Sequence, residues 1–175
     1  MRDQSDLRLI NCISAPPSTD EVWVGAEKAP FIYRLKKNGN NISLSGKIDL
    51  TKYTKSPGLP LIFFNDAKNN TWLGTSTGVF MKKYNEEELH LISDTLGNVT
   101  GITEDNNGTI WISTSKSGLY NIPIKHNTSI DNLKLFNFRK GWNGLSSDNI
   151  QSVCADQSGR IWIGSKNGTI EVYNT

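Results

Sequence analysis

Aspartate and tryptophan recur along this sequence six residues apart. The three pairs are Asp66 with Trp72, Asp105 with Trp111, and Asp156 with Trp162. Carboxylates could serve as general acid and as nucleophile or base on a glycosidic bond, if two of them stood about 5 to 10 Å apart. A residue that every repeat needs equally is expected to serve architecture instead. We therefore predict that each aspartate binds turn amides and that each tryptophan packs between repeats.

The number of residues between each aspartate and the glycine that follows it also argues against a sialidase-type enzyme. Sialidase-type Asp boxes follow S-x-D-x-G-x-x-W, whereas Gly108 and Gly159 come three residues after their aspartates. The run 86–88 of three glutamates is expected to be a solvated hairpin tip, and residues 104–107 lack the ligand spacing of a calcium loop. The sequence therefore predicts no catalytic residue, metal or cofactor, and a sialidase-like glycosidase is the weaker alternative.

A second candidate site differs between the repeats, as a specific binding site should. The loop Arg139-Lys140-Gly141-Trp142-Asn143-Gly144 places a tryptophan outside the repeated register, next to two cations. Such an aromatic side chain could stack on a sugar ring while the cations hold carboxylate or sulfate groups. We predict ligand binding by Arg139, Lys140, Trp142 and Asn143. The alternative is that Trp142 packs on its own loop and the cations are merely solvated.

The elements that must position these residues are short strands. Trp23, Trp72, Trp111 and Trp162 are separated by 49, 39 and 51 residues, and no apolar-periodic helix longer than two turns lies between them. A repeat of this length with several strands per unit indicates a β-propeller. We predict an all-β fragment of about four blades, each a four-stranded antiparallel sheet, over residues 1–53, 54–93, 94–138 and 139–175.

Each predicted blade has the same internal order of strands. The first strands are 7–13, 61–64, 99–103 and 150–154, and the second strands contain the tryptophans. The third strands are 31–35, 79–84, 119–122 and 170–173. The outer strands are 48–53, 89–93 and 133–138, and the last blade is incomplete because its outer strand is missing. Gly108, Gly159 and Asn69, three residues before a tryptophan, are expected to adopt a positive φ.

The composition of the chain argues against several classes of binding partner. The formal charge is +2, and Lys and Arg are scattered among the acids, which argues against a nucleic-acid partner. Cys12 and Cys154 lack any zinc-ligand spacing. No run of 18 apolar residues occurs, so no membrane contact is expected from this chain. Residues 1–6 contain no apolar h-region, so a secretion signal is expected to lie outside this sequence.

Three segments carry a resemblance to a known family. They read GLPLIFFNDAKNNTWLGTSTGVFMKKY (58–84), GITEDNNGTIWISTSKSGLYNI (101–122) and GLSSDNIQSVCADQSGRIWIGSKNGTI (144–170). Their pattern resembles the two-component regulator propeller repeat, D-x-x-G-x-[IL]-W-[IL]-G-T followed by a Gly-Leu pair and an aromatic residue. The resemblance is weakest over residues 1–57.

The resemblance implies a function as well as a fold. It implies the periplasmic sensor region of a Bacteroidetes hybrid two-component histidine kinase anchored in the inner membrane, with an oligosaccharide as the expected signal. Neither His90 nor His126 lies in a helical phospho-acceptor context, so no kinase activity is expected. A propeller scaffold for protein partners is the alternative function. Self-association through exposed blade edges is a further expectation.

Overall fold

The structure, a computed structural model, describes residues 9–17, 19–124, 129–141 and 144–175. It contains fifteen strands in four antiparallel sheets, so the predicted all-β class is confirmed. The first sheet comprises β1 (Ile10–Ser14), β2 (Glu21–Ala26), β3 (Phe31–Asn38) and β4 (Asn41–Asp49). The second comprises β5 (Pro60–Asn65), β6 (Thr71–Thr75), β7 (Val79–Lys82) and β8 (Leu89–Ser93). The third comprises β9 (Val99–Glu104), β10 (Thr109–Thr114), β11 (Leu119–Pro123) and β12 (Phe136–Phe138), and the fourth β13 (Ile150–Ala155), β14 (Arg160–Ser165) and β15 (Ile170–Asn174).

Within every sheet, strands that follow one another in sequence are neighbours. This meander is the blade of a β-propeller. The fourth sheet has three strands, as predicted, and the second strands of the four sheets contain Trp23, Trp72, Trp111 and Trp162.

Two of the three outer strands depart from the predicted bounds, whereas β8 matches its prediction. In the first sheet the strand predicted over 48–53 runs instead over Asn41–Asp49, because a two-residue turn at Gly39 and Asn40 lets β4 pair along the whole of β3. The carboxylate of Asp49 then accepts a hydrogen bond from the Thr51 amide and begins a 3₁₀ helix, Leu50–Lys52.

Two further strands are shorter than predicted for similar reasons. A 3₁₀ helix, Ile130–Asn132, comes before Leu133, so β12 begins only at Phe136. A turn closed by the Glu86 amide on the Lys83 carbonyl ends β7 at Lys82 instead of residue 84. Both errors arise from apolar side chains that the sequence pattern assigns to a strand but that a local turn holds.

The chain divides into two compact units, Met1–Asp94 and Thr95–Thr175. In the first unit the core lies between the first and second sheets. Its buried members are Trp23, Ile32, Leu50, Leu73, Phe80 and Leu89. The ring of Trp23 meets that of Phe63 on β5 edge-on, with 6.4 Å between centroids. Full burial of side chains this large gives each about 2 kcal/mol or more of transfer free energy.

The second unit has a core of the same kind between the third and fourth sheets. Its buried members are Trp111, Leu119, Leu145, Ile150, Ile161 and Ile163. Trp111 also contacts the rings of Phe138 and Tyr173, at centroid distances of 5.6 and 5.4 Å. In both units, therefore, the tryptophan packs against the next sheet along the chain.

Candidate functional site

The repeated aspartates and tryptophans form one hydrogen-bonded unit that occurs three times. The Oδ2 atom of Asp66, Asp105 or Asp156 accepts the indole N–H of the tryptophan six residues later, at 2.9, 2.9 and 2.8 Å. The Oδ1 atom accepts the amides two and four residues later, such as those of Asn107 and Thr109 at 2.9 and 3.0 Å. We call this unit the Asp–Trp clamp.

The clamp fixes the turn between the first and second strands. The residue three positions after the aspartate lies in the left-handed region, with φ of 64° at Asn69, 76° at Gly108 and 80° at Gly159. Its amide donates to the aspartate carbonyl. The positive φ predicted at these three positions is therefore present.

The clamp occupies both carboxylate oxygens of each aspartate. At least three N–H donors surround a group that could otherwise act as a base or a metal ligand. Where the clamp is most open, at Asp156, the indole N–H of Trp162 holds the pKa of the carboxyl well below its usual range. Partial desolvation opposes this shift, while Arg160 and the Ser158 amide reinforce it. The Asp156 carboxyl therefore remains ionised and is unsuited to general acid catalysis.

The first sheet lacks the clamp because Pro17 stands six residues before Trp23. Among the described residues, the buried Trp23 indole N–H makes no hydrogen bond of normal geometry, but it lies close enough to the Glu21 carboxylate to help lower the pKa of that group. A different buried carboxylate, Glu21, instead binds Arg34 at 2.6 Å and the Ser45 hydroxyl at 2.8 Å. Burial raises the pKa of Glu21, but the bonds from Arg34 and Ser45 outweigh it, and the net pKa is lowered.

The loops at the opposite end of the sheets lie side by side in each blade. The amide that follows each second strand donates to the carbonyl just before the first strand of the same sheet. The four bonds are Glu27 to Leu9, Ser76 to Leu59, Ser115 to Asn98 and Lys166 to Asn149, at 2.9 to 3.0 Å. Each blade therefore presents its interblade loop and its turn between second and third strands at one end, where the sequence placed ligand binding.

The loop predicted to bind a ligand is organised by a residue that the sequence analysis did not single out, Asp148. Its Oδ2 pairs with the Arg139 guanidinium at 3.0 Å, and its Oδ1 accepts the Lys140 amide at 2.6 Å. Its carbonyl accepts the Gly118 amide at 2.9 Å. Desolvation raises the pKa of Asp148, but the Lys140 amide and the Arg139 side chain outweigh this effect and lower it. Asp148 thereby ties the start of the loop to its end.

The predicted ligand-binding residues fall into two groups. Arg139 and Lys140 lie together in this loop, and both are exposed. Arg139 is engaged by Asp148, and no ion pair joins the Lys140 side chain to any other residue that the structure describes. Trp142 and Asn143 lie outside the described residues. The signal that could have revealed Asp148 is an acid placed directly before an apolar strand, facing two cations across a glycine-rich loop.

Other potential chemistry is sparse in the described part of the chain. No cluster of three or more His, Cys, Asp or Glu side chains there could hold a metal ion. Both cysteines are free thiols, and burial raises the pKa of Cys12 to about 11. Over the described residues, no helix has the length and apolar character needed to cross a membrane.

Comparison of the chain with known protein families finds a match over two segments that contain parts of this site. Residues 94–116 and 144–167 match the two-component regulator propeller family. The matched segments contain the clamps of Asp105 and Asp156 and flank the Arg139 loop. These two segments are similar to two-component regulator propeller repeats. No curated protein sequence matches it.

Solved structures share the fold of these regulator propeller repeats. One is the extracellular domain of a proposed hybrid two-component system, BT3049, from B. thetaiotaomicron, with a TM-score of 0.74, 21% identity and coverage of 95% of this chain and 21% of that one. Another is PorZ of Porphyromonas gingivalis, described as a surface component of the type-IX secretion system, with a TM-score of 0.68, 18% identity and coverage of 95% and 26%.

A solved structure that is described as an enzyme also shares the fold. A proposed 6-phosphogluconolactonase from Bacteroides uniformis matches with a TM-score of 0.70, 16% identity and coverage of 94% of this chain and 50% of that one. At such identities the likeness establishes a β-propeller fold alone. The chain spans about a fifth of the length of the BT3049 domain.

Proposed function

We propose that this chain is a non-catalytic part of the periplasmic sensor region of a two-component signalling protein, and that the Arg139 loop binds an oligosaccharide. The observation that carries the proposal is the position of that loop. It joins two regulator propeller repeats, lies at the loop end of its blades, and exposes two adjacent cations on a backbone held by Asp148.

The chemistry of the loop favours an anionic sugar. A guanidinium already paired with a carboxylate keeps donors free for a second acceptor, because Arg carries five N–H groups. Lys140 adds an exposed ammonium, and Trp142 supplies the aromatic face that could stack on a pyranose ring. Carboxylate groups of uronic acids would satisfy both cations.

The test is calorimetric titration of this chain with a uronic-acid-containing tetrasaccharide, with neutral maltotetraose as the reference ligand. Binding of the acidic sugar should weaken about tenfold in Lys140→Ala, which removes one charge from the loop and leaves the Asp148 contacts in place. The combined Arg139→Ala and Trp142→Ala change should weaken it further.

Lys134→Ala provides the matched control, since Lys134 is also an exposed lysine of the second unit but lies outside the loop. An equal loss in Lys134→Ala would reduce the effect to general charge attraction. If titration of the unmodified chain produced no heat of binding with either sugar, the oligosaccharide would be removed from the proposal.

A second candidate is a scaffold for protein partners. The similarity to PorZ supports it, because that propeller is described as a component of a secretion system. A glycosidase or lactonase is less favoured, since the clamps occupy both oxygens of the recurrent aspartates. Turnover of gluconolactone or of a chromogenic glycoside, lost on changing a single carboxylate, would replace the sensor proposal with an enzyme.

A further inference from the structure

The turn between the second and third strands of the third sheet lies against the Arg139 loop, which runs from residue 139 to residue 149. We call this turn, residues 115–118, the Lys116 turn. The Gly118 amide donates to the Asp148 carbonyl at 2.9 Å. The Cδ atom of Arg139 lies 3.3 Å from the place that a Cβ atom on Gly118 would occupy. Glycine at position 118 therefore lets the Arg139 side chain run directly along the Lys116 turn.

Hydrogen bonds to its own sheet fix the shape of the Lys116 turn. The buried Thr114 hydroxyl, at the end of β10, accepts the Ser117 amide at 2.9 Å and donates to the Gly118 carbonyl at 2.8 Å. The Asn137 side-chain amide, on β12, donates to the Ser117 carbonyl at 2.8 Å. The backbone that carries Lys116 is therefore held in place beside the Arg139 loop before any ligand arrives.

The Arg139 loop is fixed at its far end as well. The Ser146 amide and hydroxyl donate to the two carboxylate oxygens of Glu171 on β15, at 2.8 and 3.1 Å. Within the loop, the Gly141 amide donates to the Leu145 carbonyl at 3.1 Å. Two segments with fixed backbones therefore lie side by side, and a ligand that contacts both loses less free energy in ordering them.

The two segments together carry an excess of positive charge. Lys116, Arg139 and Lys140 are all exposed. Asp148 is the only acid in the Lys116 turn and the Arg139 loop, and the Arg139 guanidinium and the Lys140 amide occupy its two oxygens. No ion pair joins the Lys116 ammonium to any residue that the structure describes. Each segment therefore offers one exposed ammonium group that lacks a carboxylate partner in the described part of the chain.

We propose that Lys116 is a further binding residue of this site and that the ligand carries carboxylate groups on at least two of its sugar residues. This inference rests on the proposed function, because it extends the same site. Lys140 stands on one segment and Lys116 on the other, joined where Arg139 runs along Gly118. One carboxylate satisfies one ammonium group, and a second carboxylate on a neighbouring sugar satisfies the other.

Calorimetric titration of the 175-residue chain with two acidic tetrasaccharides tests the inference. One is a tetrauronate, with a carboxylate on every sugar, and the other carries a single terminal uronic acid on a neutral chain. Lys116→Ala should weaken binding of the tetrauronate about tenfold, because a charge-assisted contact is lost. It should leave the affinity for the mono-acidic sugar unchanged, whereas Lys140→Ala should weaken binding of both sugars.

Two control variants isolate the charge and its position. Lys116→Arg keeps the charge and should bind the tetrauronate as the unmodified chain does. Lys134→Ala removes an exposed lysine of the same unit outside both segments and should also leave binding unchanged.

The outcomes separate this inference from the proposed function. If Lys140→Ala weakens binding of the tetrauronate but Lys116→Ala does not, the inference is overturned and the proposed function stands. An equal loss for both sugars in Lys116→Ala would also overturn it, because the second carboxylate would then play no part. If neither acidic sugar binds the unmodified chain, the proposed function fails and the inference fails with it.

Discussion

At the scale of single residues, the Asp–Trp clamp gives one aspartate three tasks. It accepts two turn amides, orients the turn through its own backbone groups, and accepts the indole N–H that would otherwise be buried without a partner. Leaving a buried donor unsatisfied costs about 1 to 3 kcal/mol. The carboxylate therefore allows the polar edge of a large aromatic ring to be buried between sheets.

Replacing the clamp carboxylate should destabilise the chain according to its burial. Asp105→Ala should lower the free energy of unfolding by about 3 kcal/mol, because three N–H donors lose a charged acceptor. Asp156→Ala removes the same bonds at a clamp whose indole is partly exposed to water, so its loss should be smaller. Urea unfolding followed by circular dichroism measures both. Equal losses would show that burial of the tryptophan does not set the value of the clamp.

The Glu21 carboxylate should make stability dependent on pH. Its pKa is lowered in the folded chain, so its contribution is fully present above the usual value of 4.5 and is lost as pH falls through the lower folded pKa. Glu21→Gln should cost about 1 to 2 kcal/mol at neutral pH, because Arg34 loses a charged partner. That cost should shrink as the pH is lowered below 4.5.

The exposed pair of Asp20 and Lys36 is the control for Glu21. These side chains lie 2.6 Å apart on the same sheet, but both are open to solvent. Exposed ion pairs contribute little to stability. Asp20→Asn should therefore leave urea midpoints unchanged between pH 3 and pH 7. A pH-independent difference between Glu21→Gln and the unmodified chain would contradict the assignment of the lowered pKa.

At the scale of elements, a close approach between strands explains a glycine of the repeat. Gly118 precedes the third strand of its sheet, and a Cβ atom there would stand 2.1 Å from the Phe138 carbonyl oxygen at the end of β12. Its φ is +79°. The outer strand therefore leaves its sheet directly over the turn that begins β11.

Gly118→Ala should destabilise the second unit by about 3 kcal/mol or more, because both the backbone conformation and the space oppose a side chain. Gly168→Ala is the matched change, with a φ of +84° but nothing within 4 Å of the added Cβ. It should cost only about 1 kcal/mol, the strain of a non-glycine residue in the left-handed region. Urea unfolding compares the two, and equal costs would contradict the close approach.

At the scale of the whole molecule, the chain divides into two compact units, Met1–Asp94 and Thr95–Thr175, and each unit has a core of its own between two sheets.

Much of the fold follows from local chemistry. The recurrent tryptophans, the turn aspartates and the residues that tolerate a positive φ predict short strands in a propeller repeat, and the structure confirms the all-β class and the three-stranded last sheet. The outer strands were less predictable. Their faces are partly solvated, so apolar periodicity is weak, and turns at Gly39 and Asp49 decided where β4 lies.

The sequence by itself determined the repeat, because three of the four sheets carry an aspartate and a tryptophan six residues apart with the same turn between them. Only the folded structure showed that each clamp aspartate also accepts the indole N–H of its tryptophan, because the two side chains meet across a hairpin. It also decided that Asp148 holds Arg139 and Lys140, because the two ends of that loop meet only when the second unit folds. The burial of Trp111 likewise depends on the fourth sheet, which packs against its ring.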